Sequence, residues 1–384
     1  MKITDVKATP VVVPMKPSPT KSKVVSGPRV MPSIIVQVFT DEGIVGIGEA
    51  PQLLGGKISA EFIETTKTLL VGKDPSNINL LVRALYAQYS LSHFHIHSGC
   101  WAVNGVEMAL WDIAGKRAGM PLYQLWGGAY RKQIEFFGDI DRQEPAGMTQ
   151  VAKRLADEGY HTIYTKVGLG METDMEALAA IRAGVPDRNV KIRVDANQSW
   201  NTGEAIHIIN EFEQFGMEFI DQPVLMYNLD ALKHVHDSVH VPIAAHESGW
   251  TMYDMLNVVK SGAVDYVHLD PRFDAGITGS RISAGIAEAA GIQCVRHAFY
   301  ELSVAFAMFL HLCAATPNAT LPHQHSEYDL LEDDVIKGGL FKFHGPYCDV
   351  PEGPGLGIEM NEEFLASLPY EPRPPKAWKN LLDI

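Results

Sequence analysis

Ionisable residues recur in this sequence at nearly even intervals: Lys166, Asp195, Asp221, the His246-Glu247 pair, Asp270 and His297. Counted through Glu247, the intervals are 29, 26, 26, 23 and 27 residues, each the length of one strand plus one helix. Asp195, Asp221 and Glu247 are three carboxylates in consecutive units. Brought together without a cation they would repel, and one would be forced to hold a proton. A divalent ion removes that conflict. All-oxygen donors favour a hard cation, and Mg²⁺ keeps positions open for water and substrate. His246 stands beside Glu247 and could replace it, which would favour a transition metal; Mg²⁺ prefers oxygen, so Glu247 is the expected third ligand. Lys166 and His297 fall on either side of the carboxylate positions, one base for each face of a substrate held between them. To act as a base Lys166 needs a lowered pKa, which a nearby cation can supply. Asp270, one unit before His297, can accept its Nδ1 proton, fixing the tautomer and raising basicity.

Side chains spaced in this way need a scaffold that brings them to one place. Apolar strand-like runs occur at Ile134–Phe137, Thr162–Val167, Lys191–Val194, Phe219–Ile220, Ile243–Ala244, Tyr266–Leu269, Gln293–Val295 and Thr320–Leu321. Helical patterns such as Asp174–Ala183 and Gly203–Phe215 separate them. Alternating β and α at this period predicts a parallel sheet, and eight units predict a TIM barrel. The eighth unit is degraded, which makes the barrel a (β/α)7β type. Every residue named above then sits at the C-terminal end of its strand, the face where barrel enzymes keep their active sites.

Before the barrel the pattern differs. Ile34–Thr40, the turn Asp41-Glu42-Gly43 and Ile44–Glu49 predict a β-hairpin. Met15–Pro32, rich in Lys, Ser and Pro, reads as a long mobile loop. Residues 60–125 are helical by period, through Leu80, Leu81, Leu85, Val106, Leu110 and Ile113, and Gly127-Gly128 closes the region. Residues 346–384 carry Pro351, Gly353, Pro354, Gly355 and Gly357, a turn-rich segment expected to return to the first module. The expected division is an N-terminal α+β capping domain, 1–128 with the tail 350–384, and a catalytic barrel, 129–349.

Composition excludes several alternatives. The 384 residues include 46% hydrophobic and 20% charged, enough apolar surface to offset chain entropy. A formal net charge of −14 argues against nucleic acid as partner, since phosphate binding needs a basic face. The apolar run Val304–Leu312 is too short to span a bilayer. MKITDVKATP lacks the apolar stretch of a signal peptide, so a cytoplasmic protein is expected. Cys100, Cys294, Cys313 and Cys348 form no CxxC pair and read as buried free thiols.

Several motifs carry a family resemblance. Val106-Glu107-Met108-Ala109-Leu110-Trp111-Asp112-Ile113, followed by Gly115-Lys116 and Gly127-Gly128, is similar to the signature late in the N-terminal domain of the enolase superfamily. Thr165-Lys166-Val167-Gly168, Val194-Asp195-Ala196-Asn197-Gln198, Ile220-Asp221-Gln222-Pro223 and Ala245-His246-Glu247-Ser248 resemble its successive barrel motifs. The likeness extends to the tail, Pro354-Gly355-Leu356-Gly357-Ile358-Glu359. Asp270, then Ala275-Gly276-Ile277-Thr278 and His297, resembles the mandelate racemase branch; the muconate-lactonising branch would place a lysine near 270. The resemblance implies abstraction of a proton α to a carboxylate, through an enediolate stabilised on Mg²⁺, chemistry for which this superfamily is a standard example.

The sequence departs from that pattern in four places. Tyr164 stands where Lys-x-Lys would place its first lysine, and so can touch substrate. Asp221 is one methylene shorter than the usual Glu. His246 occupies a position where relatives carry Asp or Asn. The strand-eight acid has no clear counterpart; His323, Gln324, His325, Glu327 and Glu301 are the candidates. In this fold the loop Met15–Pro32 covers the mouth, and its Lys16, Lys21, Lys23 and Arg29 suit an anionic substrate. Asn197, Lys21, Arg29, Glu301, His323 and His325 join Tyr164 as candidate substrate contacts. The tract His93-Phe94-His95-Ile96-His97 alternates like a strand edge and suits a surface or an interface of a homo-oligomer.

Three activities are compatible with these residues. Acid-sugar dehydration would use one base on the α-proton and His297 as imidazolium on the departing β-hydroxyl. Racemisation or epimerisation would use Lys166 and His297 on opposite faces of one carbon. A barrel that binds a carboxylate without turnover is the third. Dehydration of a sugar acid to a 2-keto-3-deoxy acid is the expected reaction; a polar pocket would suit it, and an apolar pocket would suit racemisation.

Overall fold

A computed structural model describes residues 1–16, 30–52, 56–92, 96–325 and 328–368. The thirteen strands among these residues form three sheets. The first is antiparallel, β1 (Ile3–Pro14), β2 (Val30–Thr40) and β3 (Val45–Pro51), and contains the predicted hairpin as β2–β3. β2 is buried along most of its length because both faces are covered. The helix Ile96–Ala118 lies directly on β3. A Cβ at Gly48 would run into the carbonyl of Gly105, so this helix can approach only over glycine.

The second sheet has seven strands in the order β11-β10-β9-β8-β7-β6-β5, every described pairing parallel. They are β5 (Gly138–Asp139), β6 (Thr162–Lys166), β7 (Lys191–Asp195), β8 (Met217–Asp221), β9 (Ile243–Ala245), β10 (Tyr266–Leu269) and β11 (Gln293–Arg296). The predicted helices occur as Met171–Gly184 and as Thr202–Phe212, the latter prolonged by a 3₁₀ turn. An asparagine cap and a reciprocal bond from Glu204 fix the start of Thr202–Phe212.

Two barrel predictions need correction. The run Ile134–Phe137 is split: β4 (Gln133–Glu135) leaves the barrel to pair with the tail hairpin β12 (Phe343–His344) and β13 (Tyr347–Asp349), and the parallel ladder begins at Gly138. The eighth element is not at Thr320–Leu321. It is a single parallel bridge between Phe136 and His323, with Gln324 N–H bonded to the Arg296 carbonyl, so the barrel closes through His323 and Gln324.

The signature around Val106–Asp112 is architectural. Glu107 accepts hydrogen bonds from Trp111 Nε1 at 3.0 Å and Thr278 N at 2.9 Å, tying the capping helix to the barrel. Gly276 has φ +104, and a Cβ there would strike the Glu107 carboxylate. Asp112 accepts from Ile47 N and Leu356 N and pairs with Lys116, so one carboxylate joins β3, its own helix and the tail.

The run Val304–Leu312 belongs to a helix, Ser303–Ala315, buried on almost every face and packed through Phe306 on Phe136 and Tyr328. No described helix is long and apolar enough to cross a membrane. The four cysteines are buried and no disulfide joins them. Val30–Pro32, expected in the loop, are strand residues; the chain before the loop is pinned by Lys16 N–H on the Leu330 carbonyl. Lys21, Lys23, Arg29, His93–His95 and Glu327 lie outside the described residues, and Ile96 begins a helix rather than continuing a strand edge.

Candidate active site

The predicted residues occupy the C-terminal ends of six consecutive strands. Lys166, Asp195 and Asp221 are pairing partners on β6, β7 and β8, so they stand at one level. His246 and Glu247 follow β9, Asp270 follows β10 and His297 follows β11. Gln222 holds the turn after β9 in place: its Oε1 accepts from His246 N and Ser248 N, each at 3.1 Å, and its Nε2 donates to Ser248 Oγ at 2.9 Å.

Asp195 accepts three hydrogen bonds. Its Oδ2 accepts from Tyr164 Oη at 3.0 Å and Lys166 Nζ at 3.2 Å, and its Oδ1 accepts from Asn197 N at 2.8 Å. Asn197, in the left-handed region at φ 42, also accepts from Lys166 Nζ and donates to Glu247 Oε1 at 3.0 Å. It thereby links the base to the fifth-strand acid. Asp221 Oδ2 lies 2.9 Å from His268 Nε2 and 3.7 Å from His246 Nδ1. Donor atoms of Asp195, Asp221 and His246 lie within 4.8 Å of one another. Glu247, the expected third ligand, stands beside that trio with Oε2 3.6 Å from His246 Nδ1.

Opposing fields act on these groups. Burial works to raise Asp195, but Lys166, then His246, the Asn197 amide and the Tyr164 hydroxyl outweigh it and hold the carboxyl below its ordinary range. Asp221 is driven well above it by burial, with His246 opposing and Asp195 and Glu247 adding repulsion. Burial works to lower Lys166, yet Asp195 raises it above the ordinary lysine value. His297 is pushed well below its ordinary value by burial and then by His246, against the pull of Asp270. In the field of the side chains alone, Lys166 is the ammonium and His297 the neutral imidazole. The sequence assigns a base to each face and looks to a cation to lower Lys166; the direct Asp195–Lys166 contact works against that lowering.

His297 Nδ1 is 2.8 Å from Asp270 Oδ2. Arg272, which the spacing argument missed, donates to both Asp270 oxygens, Nε to Oδ1 at 2.7 Å and Nη2 to Oδ2 at 2.6 Å. Burial would raise Asp270, but Arg272 and His297 hold it far below the carboxylate range. His268 was missed as well. It lies two residues before Asp270 on the same face of a strand, so period-two reading of β10 would have found it. The His297 side of the site is aromatic: Trp250 stacks on Phe273 at 3.9 Å, Phe273 on Phe299 at 5.5 Å and Phe299 on His297 at 5.6 Å.

The strand-eight candidates are engaged in the barrel wall. Glu301 is fully buried in an ion pair with Arg296. His323 accepts from Arg296 N at 3.0 Å through Nδ1. Gln324 Oε1 accepts from Ala298 N at 3.1 Å, and His325 packs edge-on against Phe136 and Phe343. These contacts close the eighth position where a strand is lacking.

Residues 3–127 match the family model for the mandelate racemase / muconate lactonizing enzyme N-terminal domain, and residues 147–364 match the enolase C-terminal domain-like model. The chain belongs to the enolase superfamily, in its mandelate racemase/muconate-lactonising branch. An N-succinyl-L-Arg/Lys racemase of Bacillus cereus is 29% identical, over 88% of this chain and 90% of the relative; its crystal structure superposes with a TM-score of 0.86 over 97% of this chain and 99% of that one, at 26% identity. A hydrophobic dipeptide epimerase of Enterococcus faecalis is 32% identical over 85% and 91% of the two chains. A D-gluconate dehydratase of Thermoproteus tenax is 29% identical over 88% of this chain and 70% of the relative. The chain is an enzyme of this superfamily, and the alternative of a carboxylate-binding barrel without turnover falls.

Members of the superfamily bind Mg²⁺. The residues here fit a divalent cation. Asp221 Oδ1, Glu247 Oε2 and both ring nitrogens of His246 are buried without a hydrogen-bond partner among the described residues. Buried polar atoms left unpaired are costly, and three acids close together are costlier still.

Proposed function

We propose that the chain removes the proton α to a substrate carboxylate, with Lys166 and His297 acting from opposite sides. The observation that carries this reading is their placement: Lys166 abuts Asp195 on one flank of the carboxylate group, and the His297 ring lies 4.0 Å from the His246 ring on the other. Asp195, Asp221 and either His246 or Glu247 would hold a divalent cation, which when bound supplies positive charge to the substrate carboxylate and to the charge gathering on it as the proton leaves. Residues 1–128, with the tail from 350, would cover the substrate, and residues 129–349 would act on it.

The chain's own groups divide the proton work. With Nδ1 bonded to Asp270, His297 presents Nε2 as the base for the α-proton. Lys166, as ammonium, is the acid on the far side. In our first reading the substrate is a sugar acid. The α-proton passes to His297 and the electron pair of its C–H bond forms a C=C bond. The β-carbon–oxygen bond breaks, and the hydroxyl leaves as water with a proton from Lys166. The enol left behind tautomerises to a 2-keto-3-deoxy acid. The polar groups beside Lys166, Tyr164 and Asn197, suit hydroxyl binding, and the D-gluconate dehydratase is a relative of comparable similarity. The aromatic side formed by Trp250, Phe273 and Phe299 favours a second reading. An apolar acid would be racemised there, Lys166 returning the proton to the face opposite His297.

A panel of sugar acids and apolar 2-substituted acids, incubated in D₂O with a divalent ion, tests both. Product lighter by one water supports the first reading; deuterium at the α-carbon of an inverted product supports the second. No exchange and no product with any acid would overturn the proposal.

A further inference from the structure

We propose that His246 supplies a nitrogen ligand to the cation and that this centre therefore takes a divalent transition metal later in the first row, such as Co²⁺, in preference to Mg²⁺. This rests on the reading that the site holds a divalent cation, and it changes which one.

His246 is only 5% exposed, yet neither ring nitrogen has a hydrogen-bond partner among the described residues. A histidine so enclosed normally pairs at least one nitrogen with a donor or acceptor. Nδ1 faces acids instead, 3.7 Å from Asp221 Oδ2 and 3.6 Å from Glu247 Oε2. Those distances are too long for hydrogen bonds and suit donors that share an ion. Two ligands on opposite sides of a metal stand about 4.2 Å apart, so a small inward rotation brings the Asp195, Asp221 and His246 donors, now within 4.8 Å, into range.

The ring is also held in advance. The His246 amide is bonded to Gln222 Oε1, and the imidazole is stacked at 4.6 Å on His268 and packed against His297. Glu247 bonds Asn197 through Oε1 and keeps only Oε2 turned to the same space, so it can join His246 at the ion but does not replace it. A site with two carboxylates and an imidazole suits metals later in the first transition row, whereas Mg²⁺ demands oxygen.

Pulsed electron paramagnetic resonance of the Mn²⁺-loaded full chain reads the ligand directly. Nitrogen coupling is expected in the wild type and its loss is expected in H246N or H246D, whichever folds. Calorimetric titration of the chelator-treated protein should show Co²⁺ affinity falling about tenfold or more in the variant, with Mg²⁺ affinity moving less than about threefold. Wild-type Mn²⁺ without nitrogen coupling would overturn the inference while leaving the divalent site intact. Coupling that persists in the variant would overturn the assignment to His246. Failure of the wild type to bind any divalent ion would instead remove the underlying reading.

Discussion

His268 Nε2 lies 2.9 Å from Asp221 Oδ2, although β10 and β8 are separated by β9. The contact crosses the barrel interior just beneath the mouth. Burial lowers His268 to about 4, so the ring stays neutral at ordinary pH and adds no charge of its own to the site. The ring makes no hydrogen bond among the described residues and meets, by contact alone, an acid one methylene shorter than Glu, limiting where that carboxyl can lie.

H268A should therefore weaken divalent-cation binding by about 10–100-fold, the usual effect of removing a group that orients a metal ligand. Calorimetric titration with Mg²⁺ and Mn²⁺ measures it. Unchanged affinity for both ions would mean that Asp221 is positioned without His268.

The division of proton work predicts unequal variants. H297N should abolish α-proton exchange with D₂O and lower kcat by about 10²–10⁴-fold. K166A should lose net turnover to a similar degree yet retain exchange on the His297 face. Mass spectrometry of recovered substrate distinguishes them. Equal exchange in the two variants would show that His297 is not the base.

Much of this arrangement was legible in the sequence because a barrel places the residue after each apolar run at one mouth. Lys166, Asp195, Asp221, His246, Glu247, Asp270 and His297 obey that rule. His268 and Arg272 do not: one precedes Asp270 by two residues on the inner face, the other follows it in a turn, and a rule that takes one residue per strand passes over both. The eighth strand was misplaced for a related reason. His323 and Gln324 close the barrel by one bridge and a few side-chain bonds, which leave no hydrophobic period to read. Likewise Ile134–Phe137 reads as a single strand, although the tail hairpin claims its first half.

Arg272 offers a test of the dyad that does not touch His297. It is the strongest influence holding Asp270 ionised after burial is counted. Asp270, with its pKa depressed in the fold, adds stability that is present above the unfolded carboxyl pKa of 3.8 and is lost as pH falls. R272M leaves a buried carboxylate short of a partner, a change costing about 3–5 kcal/mol. The acid side of the stability profile and the acid limb of kcat/KM should both move to higher pH. Thermal melts and rate profiles between pH 4 and 7 would show it. An acid limb that stays in place would mean that Asp270 does not govern the base.

Asp274 gives the opposite sign at the alkaline end. Its carboxyl is buried against the helix Ile277–Ala289 and accepts from Ser280 Oγ at 2.6 Å and Ser283 Oγ at 2.8 Å. Burial pushes its pKa up from 3.8 to about 8, more than the two hydroxyls lower it. A group raised in the fold gives stability that is full below the unfolded pKa. That stability drains away as pH rises through the folded value, because the unfolded chain releases the proton first. Wild-type melting temperature should thus fall between pH 5 and 9, with Asp274 contributing on the order of a few kcal/mol. D274N removes the titration while leaving both serines a partner, since hydroxyls can turn to donate or accept. Its melting temperature should fall less over the same range. A slope will remain, because burial also raises Glu49 to about 8 and Glu107 to about 7, and both act in the same direction. Parallel curves for wild type and variant would show that Asp274 is already ionised in the fold, with the serines outweighing its burial.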